Sequence, residues 1–337
     1  MEAYKRFTLR EAPMPAPAWS EVLVRVRACA VCGSDVHGID GSTGRRQPPV
    51  IMGHEAAGEI ALLGEGVTGY EIGDRVTFDS TVYCGECAAC RAGDVNLCGN
   101  RRVLGVSCDE YRRDGAFAEF VAVPQRILYR LPEGVSFVEA AMVEPLSIAC
   151  HAMTRTAVPE GGRVMVVGVG TIGLLALQVA KSLGAGRLIA ADVDEARLQM
   201  AREAGAEAVD SRDPAALQKV LEMTGSAGVD VAVDCTGIGQ TADLAIRSAK
   251  LNGAVVLVGN LAQKIDFPLQ LVVTRQLSLF GSCASAGEYP RCLEMIASGQ
   301  VDVQKMISKT VPLSEGGEWI LKLYNREPGL YKVVLIP

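Results

Sequence analysis

Two groups of residues in the first third of the chain have the side chains and spacing of metal ligands. The first group comprises Cys32, His54 and Glu55 in a chain with only three histidines. A thiolate, an imidazole and a carboxylate are the donor set of a catalytic zinc that keeps one position open. These residues therefore predict an open metal centre. The alternative is that Cys32 is a small buried apolar residue and His54 an ordinary turn residue.

The second group is a loop, residues 84–98, with four cysteines: Cys84, Cys87, Cys90 and Cys98. Four thiolates at this spacing can enclose one tetrahedral zinc with no open position, which is typical of a structural site. A four-iron cluster is the alternative. However, a glycine follows the fourth cysteine where bacterial ferredoxins have proline, and the last spacing is longer than theirs. The loop therefore predicts a structural zinc.

An acidic residue, Glu144, stands directly before a proline in an otherwise apolar run, within Glu-Pro-Leu-Ser. Buried carboxylates are paired with cations or coordinate metals. Glu144 is therefore a candidate ligand or a candidate acid beside the metal centre. The alternative is a helix-end acid in contact with solvent.

A glycine-rich turn follows the aliphatic run at residues 164–167, which predicts a buried parallel strand. The turn has the form Gly-x-Gly-x-x-Gly and leads into a helical pattern, so unpaired backbone N–H groups would face an anion there. Its glycines permit a tight turn, approach of a pyrophosphate, and close packing of helix on strand. The candidate phosphate-binding residues are Gly168, Gly170, Thr171, Ile172 and Gly173.

The segments after this turn continue the strand and helix alternation of a dinucleotide-binding domain. A second buried strand ends at Asp192, about 20 residues past the turn, where an acid that binds the ribose is expected. Ligands of open parallel sheets bind beyond the carboxyl ends of the strands. By that rule Thr236, Val258 and Gly259 are cofactor candidates as well.

The first 130 residues instead show alternating apolar and polar residues, which predict half-buried β-strands. A chain of 337 residues exceeds the usual single core. We therefore predict an α/β protein with two domains: a β-rich domain of residues 1–144 plus 283–337, and a doubly wound parallel-sheet domain of residues 145–282.

Composition excludes several classes of partner. The formal net charge of -6 offers no basic surface for nucleic acid. No apolar stretch is long enough for a membrane span, and the first residues lack the apolar core of a signal peptide. We expect a cytoplasmic protein whose clustered cysteines stay reduced and bind metal.

In combination, the motifs of this chain resemble those of the zinc-dependent medium-chain dehydrogenases over nearly its full length. These motifs are Cys-Gly-Ser-Asp-x-His, Gly-His-Glu, the four-cysteine loop, Glu-Pro-Leu-Ser and the glycine turn. The similarity is greatest to the polyol branch around sorbitol dehydrogenase, because Glu144 stands where other alcohol dehydrogenases have a second cysteine ligand. The resemblance implies a GroES-like catalytic domain and a Rossmann cofactor domain, with one catalytic and one structural zinc per chain.

The resemblance also implies roles for individual residues. Cys32, His54 and Glu55 would surround the catalytic zinc, with Glu144 either a ligand or hydrogen-bonded to the zinc-bound water. Ser34 would accept the alcohol proton and His37 would pass it outward. Asp192 would bind the ribose of NAD. Arg197 would lie beside the adenosine, and this basic residue is compatible with some use of NADP.

Two departures from sorbitol dehydrogenases concern the substrate. Gly38 stands where they carry a tyrosine, and Ala284-Ser285 aligns with their Arg-Tyr pair, so the pocket loses polyol-binding groups.

Arg45 and Arg46 lie in a glycine-rich loop before His54, and guanidinium groups suit phosphate or carboxylate. They are candidates for binding an anionic substrate; the alternative is a solvated charged loop.

These observations predict an NAD-dependent and zinc-dependent oxidation of a secondary alcohol of a polyol or sugar to a ketone. The alternatives are an L-threonine 3-dehydrogenase, a sugar-alcohol phosphate dehydrogenase, and a catalytically silent nicotinamide-binding protein. An open metal site argues against the silent protein. A homodimer or homotetramer formed through the cofactor domain is expected, with apolar residues 269–273 as a plausible contact.

Overall fold

The computed structural model describes residues 1–108 and 111–337, and they form two compact units. The first unit comprises Met1–Ser147 and Ala286–Pro337, and the second comprises Ile148–Ser285. The division predicted from the sequence places its boundaries after residues 144 and 282. No helix of the described residues is long and apolar enough to cross a membrane.

Among the described residues, strands and helices alternate regularly from β9 to β14, whereas strands predominate before β9. The strands are β1 Glu21–Ala30, β2 Glu55–Leu63, β3 Arg75–Phe78, β4 Thr81–Val82, β5 Arg102–Leu104, β6 Arg112–Arg113, β7 Phe120–Pro124, β8 Leu128–Arg130, β9 Arg163–Val167, β10 Arg187–Asp192, β11 Glu207–Asp210, β12 Val229–Asp234, β13 Ala249–Leu257, β14 Ser278–Gly281, β15 Ile307–Pro312 and β16 Lys332–Ile336. The helices are α1 Gly33–Gly38, α2 Ala88–Ala92, α3 Phe137–Ala140, α4 Val143–Thr154, α5 Thr171–Ser182, α6 Glu195–Glu203, α7 Ala216–Met223, α8 Gly239–Ser248, α9 Leu269–Thr274, α10 Tyr289–Ala297 and α11 Gly316–Tyr324.

A seven-stranded sheet organises the first unit, with the order β15-β16-β1-β2-β3-β8 and with β7 paired to β1. Strand β1 alternates between buried aliphatic residues and exposed arginines, as its sequence predicts. Its valines pack with Ile60 of β2 in an apolar core, which fixes the register of both strands. The far end of β1 pairs antiparallel with β16, so the last strand of the chain belongs to the sheet of the first.

The second unit is a six-stranded parallel sheet of order β11-β10-β9-β12-β13-β14. This is the 3-2-1-4-5-6 order of doubly wound dinucleotide-binding sheets. The central strands β9 and β12 are apolar and buried at residues 164–167 and 231–233, because helices cover both faces. The predicted parallel-sheet domain is therefore confirmed, as is the β-rich character of the other unit.

Strand β13 directly follows helix α8. The helix ends at Ser248, and the strand begins at Ala249. Lys250 lies in β13, and its ammonium pairs with Asp230 of the neighbouring strand β12 at 2.6 Å.

Candidate metal centres and cofactor site

Cys32 lies just past the end of β1 and caps the first turn of α1. Its Sγ accepts hydrogen bonds from the backbone N–H of Ser34 at 3.4 Å and from the Ser34 hydroxyl at 3.3 Å. Burial, followed by the nearby Glu55 carboxylate, raises the pKa of the Cys32 thiol above its usual range. A bound cation would therefore be needed to keep this sulfur as a thiolate at neutral pH.

His54 and Glu55 join Cys32 from the start of β2. One ligand atom from each of the three residues lies within 4.8 Å of the other two. His54 and Glu55 are both buried, at 6% and 1% exposure. The structure thus brings together the three residues that the sequence singled out.

This donor set fits a zinc ion. Sulfur, nitrogen and carboxylate oxygen are the three ligand types of open zinc sites. His54 Nδ1 is buried and faces the Asp35 carboxylate at 3.5 Å, which leaves the other ring nitrogen, Nε2, as the candidate zinc ligand. Three ligands leave one coordination position for a substrate oxygen.

Asp35 stands behind His54, and the sequence reasoning did not assign it a role. It is fully buried, and its Oδ2 lies 3.5 Å from His54 Nδ1. Its Oδ1 accepts hydrogen bonds from Arg46 Nε at 3.1 Å and Nη2 at 2.8 Å. Arg46 is only 2% exposed. Arg46 is therefore neither solvated nor free to bind an anionic substrate, so both predictions for Arg46 are wrong. Arg45, in contrast, is exposed to solvent.

Lys332 is a second residue that the sequence reasoning missed. It begins β16, is 1% exposed, and forms an ion pair with Glu55 Oε2. Its ammonium also donates to the backbone carbonyl of Val31 at 3.1 Å. Burial alone would lower the pKa of Lys332, but the Glu55 carboxylate and the Cys32 thiol outweigh it and hold that pKa above its usual range. Lys332 is therefore a buried cation beside the candidate ligands.

Glu144 lies in the first turn of α4 and does not belong to the close group of three. It is 7% exposed, and its Oε1 accepts a hydrogen bond from Ser80 Oγ at 3.0 Å. Burial raises the pKa of Glu144 to about 7, against the opposing effects of His54 and Ser80. Burial likewise raises the pKa of the neighbouring Asp79 to about 7. The solvent-exposed interpretation of Glu144 is therefore wrong.

The two residues expected to carry a proton lie on α1. Ser34 and His37 are both exposed, Ser34 in the first turn and His37 in the last. Ser34 Oγ accepts a hydrogen bond from Arg46 Nη2 at 3.2 Å as well as donating to Cys32 Sγ. Ser34 is thus within reach of the candidate ligands and of solvent.

The four-cysteine loop forms a second, separate cluster. Neighbouring Sγ atoms are 3.5 Å apart for Cys87 and Cys90, 3.5 Å for Cys98 and Cys84, and 3.9 Å for Cys84 and Cys90. Four Zn–S bonds of ~2.3 Å in a tetrahedron require sulfur separations of about 3.8 Å. These distances are too long for disulfides and fit one tetrahedral zinc.

Backbone N–H groups prepare this loop for an anion. The N–H groups of Glu86 and Cys87 lower the pKa of the Cys84 thiol to about 6. Desolvation instead raises the pKa of Cys90 to about 12. The loop therefore holds a thiolate even before a metal binds, and a metal would be required to deprotonate Cys90.

In the second unit, the glycine turn has the close contacts that its motif requires. Gly168 has φ +86°, and a Cβ there would meet Thr236 Oγ1 at 2.2 Å. A Cβ on Gly173 would lie 2.1 Å from the carbonyl oxygen of Gly168. Gly170 caps α5, and Thr171 and Ile172 form its first turn. The helix N-terminus can therefore receive a pyrophosphate.

Asp192 ends β10 beside this turn. One carboxylate oxygen accepts hydrogen bonds from the backbone N–H groups of Val193 at 2.8 Å and Asp194 at 3.0 Å, and the other accepts from Val169 N–H at 2.8 Å. Arg197 Nη1 is 3.9 Å from the same carboxylate. These bonds fix the acid at the turn, with the arginine next to it.

The remaining cofactor candidates follow β12 and β13. Thr236 N–H donates to Asp234 Oδ1 at 3.0 Å, and the N–H groups of Val258 and Gly259 both donate to the Asp234 carbonyl. A Cβ on Gly259 would lie 2.2 Å from the backbone of Thr236. Thr236, Val258 and Gly259 therefore meet at the carboxyl edge of the sheet, as predicted.

Two family models match the chain. Residues 19–133 match the alcohol dehydrogenase GroES-like domain, and residues 171–298 match the zinc-binding dehydrogenase model. The first match contains Cys32, His54, Glu55 and the four-cysteine loop, and the second begins at Thr171 after the glycine turn. Both kinds of domain expected from the sequence are therefore recognised.

Full-length relatives agree with these matches. The chain is 37% identical to a sorbitol dehydrogenase of Halalkalibacterium halodurans, covering 92% of this chain and 90% of the relative. Among solved structures, a zinc-binding dehydrogenase of Sinorhizobium meliloti bound to NADP has a TM-score of 0.88 at 32% identity, covering 100% and 97% of the two chains. An alcohol dehydrogenase of Escherichia coli complexed with NADH has a TM-score of 0.90 at 29% identity, covering 100% and 97%.

Proposed function

Because the chain belongs to the zinc-dependent medium-chain dehydrogenases, in their polyol branch, we propose that it oxidises a secondary hydroxyl of a polyol or sugar to a ketone, with NAD as hydride acceptor. The convergence of Cys32, His54 and Glu55 within 4.8 Å carries this proposal. A catalytically silent protein has no need for three converging donors that leave one coordination position open.

Cys32, His54 and Glu55 are the proposed ligands of the catalytic zinc. A zinc ion held there supplies a Lewis acid, which lowers the pKa of an oxygen that it binds by many units. The chain must complement it with a proton acceptor, because an alcohol releases one proton for each hydride it gives up. It must also exclude water from the reacting carbon.

Ser34 is the proposed proton acceptor. Its hydroxyl is held next to Cys32 Sγ, and its side chain reaches solvent, so it can connect the substrate hydroxyl with water. His37, exposed at the end of the same helix, is the proposed next carrier. Both residues are expected to matter for proton release rather than for metal binding.

Glu144 is proposed to act beside the ligands rather than as one of them. Its Oε1 is occupied by the Ser80 hydroxyl, which leaves the second carboxylate oxygen for a further partner. With a pKa of about 7, the carboxyl group can donate or accept a proton near neutral pH. We infer that it forms a hydrogen bond with the group that fills the open coordination position.

Asp192 supports NAD over NADP as the cofactor. Its buried carboxylate lies where the adenosine ribose is expected, and a 2′-phosphate there would face a fixed negative charge. Arg197 partly offsets that charge at 3.9 Å, so weak use of NADP is compatible with the site.

The substrate is proposed to be an uncharged polyol or sugar. Arg46 donates two hydrogen bonds to Asp35, so its buried guanidinium group is not available to bind a substrate phosphate. Position 38 has no side chain, so the polyol-binding tyrosine expected from sorbitol dehydrogenases is missing. We infer that the enzyme binds a cyclic polyol or a sugar in preference to open-chain sorbitol.

The cellular setting belongs to the same proposal. We place the enzyme in the cytoplasm, where reduced thiols are stable, as expected for eleven cysteines without a disulfide in the described residues. A homodimer or homotetramer is proposed, with the exposed apolar residues Leu269 and Val273 of α9 at a contact.

A substrate panel tests the proposal. The purified enzyme is incubated at mildly alkaline pH with NAD and with polyols, sugars, their phosphates and L-threonine, with and without a zinc chelator. We expect chelator-sensitive NADH formation with unphosphorylated polyols or sugars. NADH formation with L-threonine or a phosphate alone would replace the proposed substrate class. A chelator-insensitive signal would refute the zinc mechanism.

A further inference from the structure

The contacts of one buried arginine bear on how the proton acceptor works. We propose that Arg46 is a positioning residue of the dehydrogenase reaction, which orients the Ser34 hydroxyl to receive the proton of the substrate alcohol. This inference rests on the proposed function, since it assigns a task within the same site. It replaces the role in anion binding that the sequence suggested for Arg46.

Arg46 connects two residues of α1 that flank the candidate ligands. Nε and Nη2 donate to Asp35 Oδ1 at 3.1 and 2.8 Å, and Nη2 also donates to Ser34 Oγ at 3.2 Å. Arg46 is 2% exposed and Asp35 0%, so each neutralises the charge of the other inside the protein. The guanidinium is therefore fixed by one residue and directed at the other.

The guanidinium determines which way the Ser34 hydroxyl can point. It has donors only and does not lose its proton, so it must occupy a lone pair of Ser34 Oγ. The Ser34 proton therefore points away from Arg46, and in the structure it is directed at Cys32 Sγ at 3.3 Å. One lone pair of Ser34 Oγ therefore remains free to accept a hydrogen bond from the substrate alcohol.

The proton and hydride can then be balanced. The substrate O–H bond breaks as a new O–H bond forms at the free lone pair of Ser34 Oγ. The bond between Ser34 Oγ and its original proton breaks as the hydroxyl turns away from Cys32 Sγ, and that proton passes to the proposed carrier His37 and on to solvent. The carbinol hydrogen leaves with its electron pair to NAD, so the products are a ketone, NADH and one solvated proton.

Packing shows why this arginine has room in the fold. A Cβ on Gly38 would lie 2.6 Å from Arg46 Cγ and 3.3 Å from Arg46 Cβ. The aliphatic part of Arg46 therefore passes over a position without a side chain at the end of α1. Gly38 and Arg46 form a matched pair, so the missing side chain at position 38 serves the arginine as well as the pocket.

The first test is a double-mutant cycle between Arg46→Lys and Ser34→Ala, with Arg112→Lys as the control. Lysine keeps the positive charge on Asp35 but lacks the fork that reaches both partners. Arg112 is exposed, and within the described part of the chain its side chain donates one long hydrogen bond, to the backbone carbonyl of Pro49 at 3.5 Å.

We expect Arg46→Lys to lower kcat by about 10-fold to 100-fold, with KM within about twofold, in line with the loss of an aligned proton acceptor. In the Ser34→Ala background the same change should have no further effect, because the group it positions is gone. The zinc content and the melting temperature of Arg46→Lys should stay at wild-type values. The control variant Arg112→Lys should keep wild-type activity. An equal loss of kcat in both backgrounds, or full activity of Arg46→Lys, would overturn the proposal.

A second measurement requires no turnover, which separates this inference from the proposed function. With Co²⁺ at the Cys32 centre and zinc kept in the four-cysteine loop, the thiolate-to-cobalt absorption band reports hydrogen bonds to Cys32 Sγ. Arg46→Lys should shift this band in the same direction as Ser34→Ala, and Arg112→Lys should not. An unshifted band in Arg46→Lys would refute the positioning role even if the wild type were inactive with the whole substrate panel.

Discussion

The two candidate metal centres of this chain are built in opposite ways. The four-cysteine site lies within one loop, residues 84–98, and its thiols contact one another and the loop's own backbone. The Cys32 centre draws its ligands from two segments, and buried ion pairs support it: Asp35 with Arg46, and Glu55 with Lys332. The first site is complete in itself, whereas the second depends on charges from elsewhere in its unit.

This difference shows which part of each site the metal must provide. At the loop, the metal would supply much of the local stability, because the short helix α2 within it buries no residue. At the Cys32 centre, ion pairs hold the donors in place whether or not a metal is bound. Loss of the first metal should therefore affect stability, and loss of the second should affect chemistry.

The largest expected effect is on activity. Cys32→Ser should lower kcat by about 10³-fold or more, because the Lewis acid is lost or misplaced. NAD affinity and melting temperature should change little, and zinc should fall from two ions per chain to one. Kinetics, NAD titration and metal analysis provide the measurements. A Cys32→Ser enzyme with wild-type activity would refute the assignment of the catalytic centre.

A substitution in the four-cysteine loop should instead lower the stability of the protein. Cys98→Ser removes one of four ligands from a closed site, and we expect about 4 kcal/mol of destabilisation, in the range of a lost structural metal. Urea unfolding together with zinc analysis measures this. Unchanged stability with unchanged zinc content would show that the loop holds no structural ion. Cys235→Ser, a change outside both centres, is the control.

Lys332 tests whether ion pairs support the Cys32 centre. Lys332→Met leaves the Glu55 carboxylate buried without its cation, which should destabilise the metal-free protein by about 3 kcal/mol. The zinc-loaded protein should lose much less, because the metal offsets the same charge. Urea unfolding with and without chelator compares the two states. Lys250→Met, at a more exposed ion pair, should show no such dependence on metal.

The smallest expected effect depends on pH. The pKa of Asp79 is raised to about 7 in the fold, so the unfolded chain releases its proton first. Stability contributed by the protonated acid is present below about pH 4 and is lost as pH rises to about 7. Asp79→Asn should therefore be more stable than the wild type by about 1–2 kcal/mol at pH 8, with a smaller difference at pH 5. A difference that does not change with pH would contradict the raised pKa.

The two metal centres also differ in how much of each could be predicted from the sequence. The four-cysteine loop and the glycine turn are short-range patterns, so their ligands and contacts could be inferred from spacing alone. Cys32, His54 and Glu55 were also found, because few residues of those types occur nearby. These patterns concern residues that are close in sequence or chemically rare.

The supporting residues could not be predicted in the same way. Lys332 and Glu55 meet only because β16 pairs with β1, and no local pattern encodes that pairing. A signal did exist, since Lys332 precedes the apolar run Val333–Leu335, and a charge in such a strand needs a partner. Arg46 was misassigned because an arginine in a glycine-rich loop is usually solvated, and its burial depends on the space above Gly38.

The pairing of β16 with β1 also has a consequence for biosynthesis. Lys332 and Val31 are joined by a hydrogen bond across 301 residues of sequence, so β1 lacks this neighbour until β16 has been synthesised. At about 5–20 residues per second, that interval lasts roughly 15–60 seconds on the ribosome. The continuous second unit, Ile148–Ser285, emerges within that time. We expect the nascent chain to complete its nucleotide-binding unit first, while the Cys32 centre is finished only once β16 has emerged.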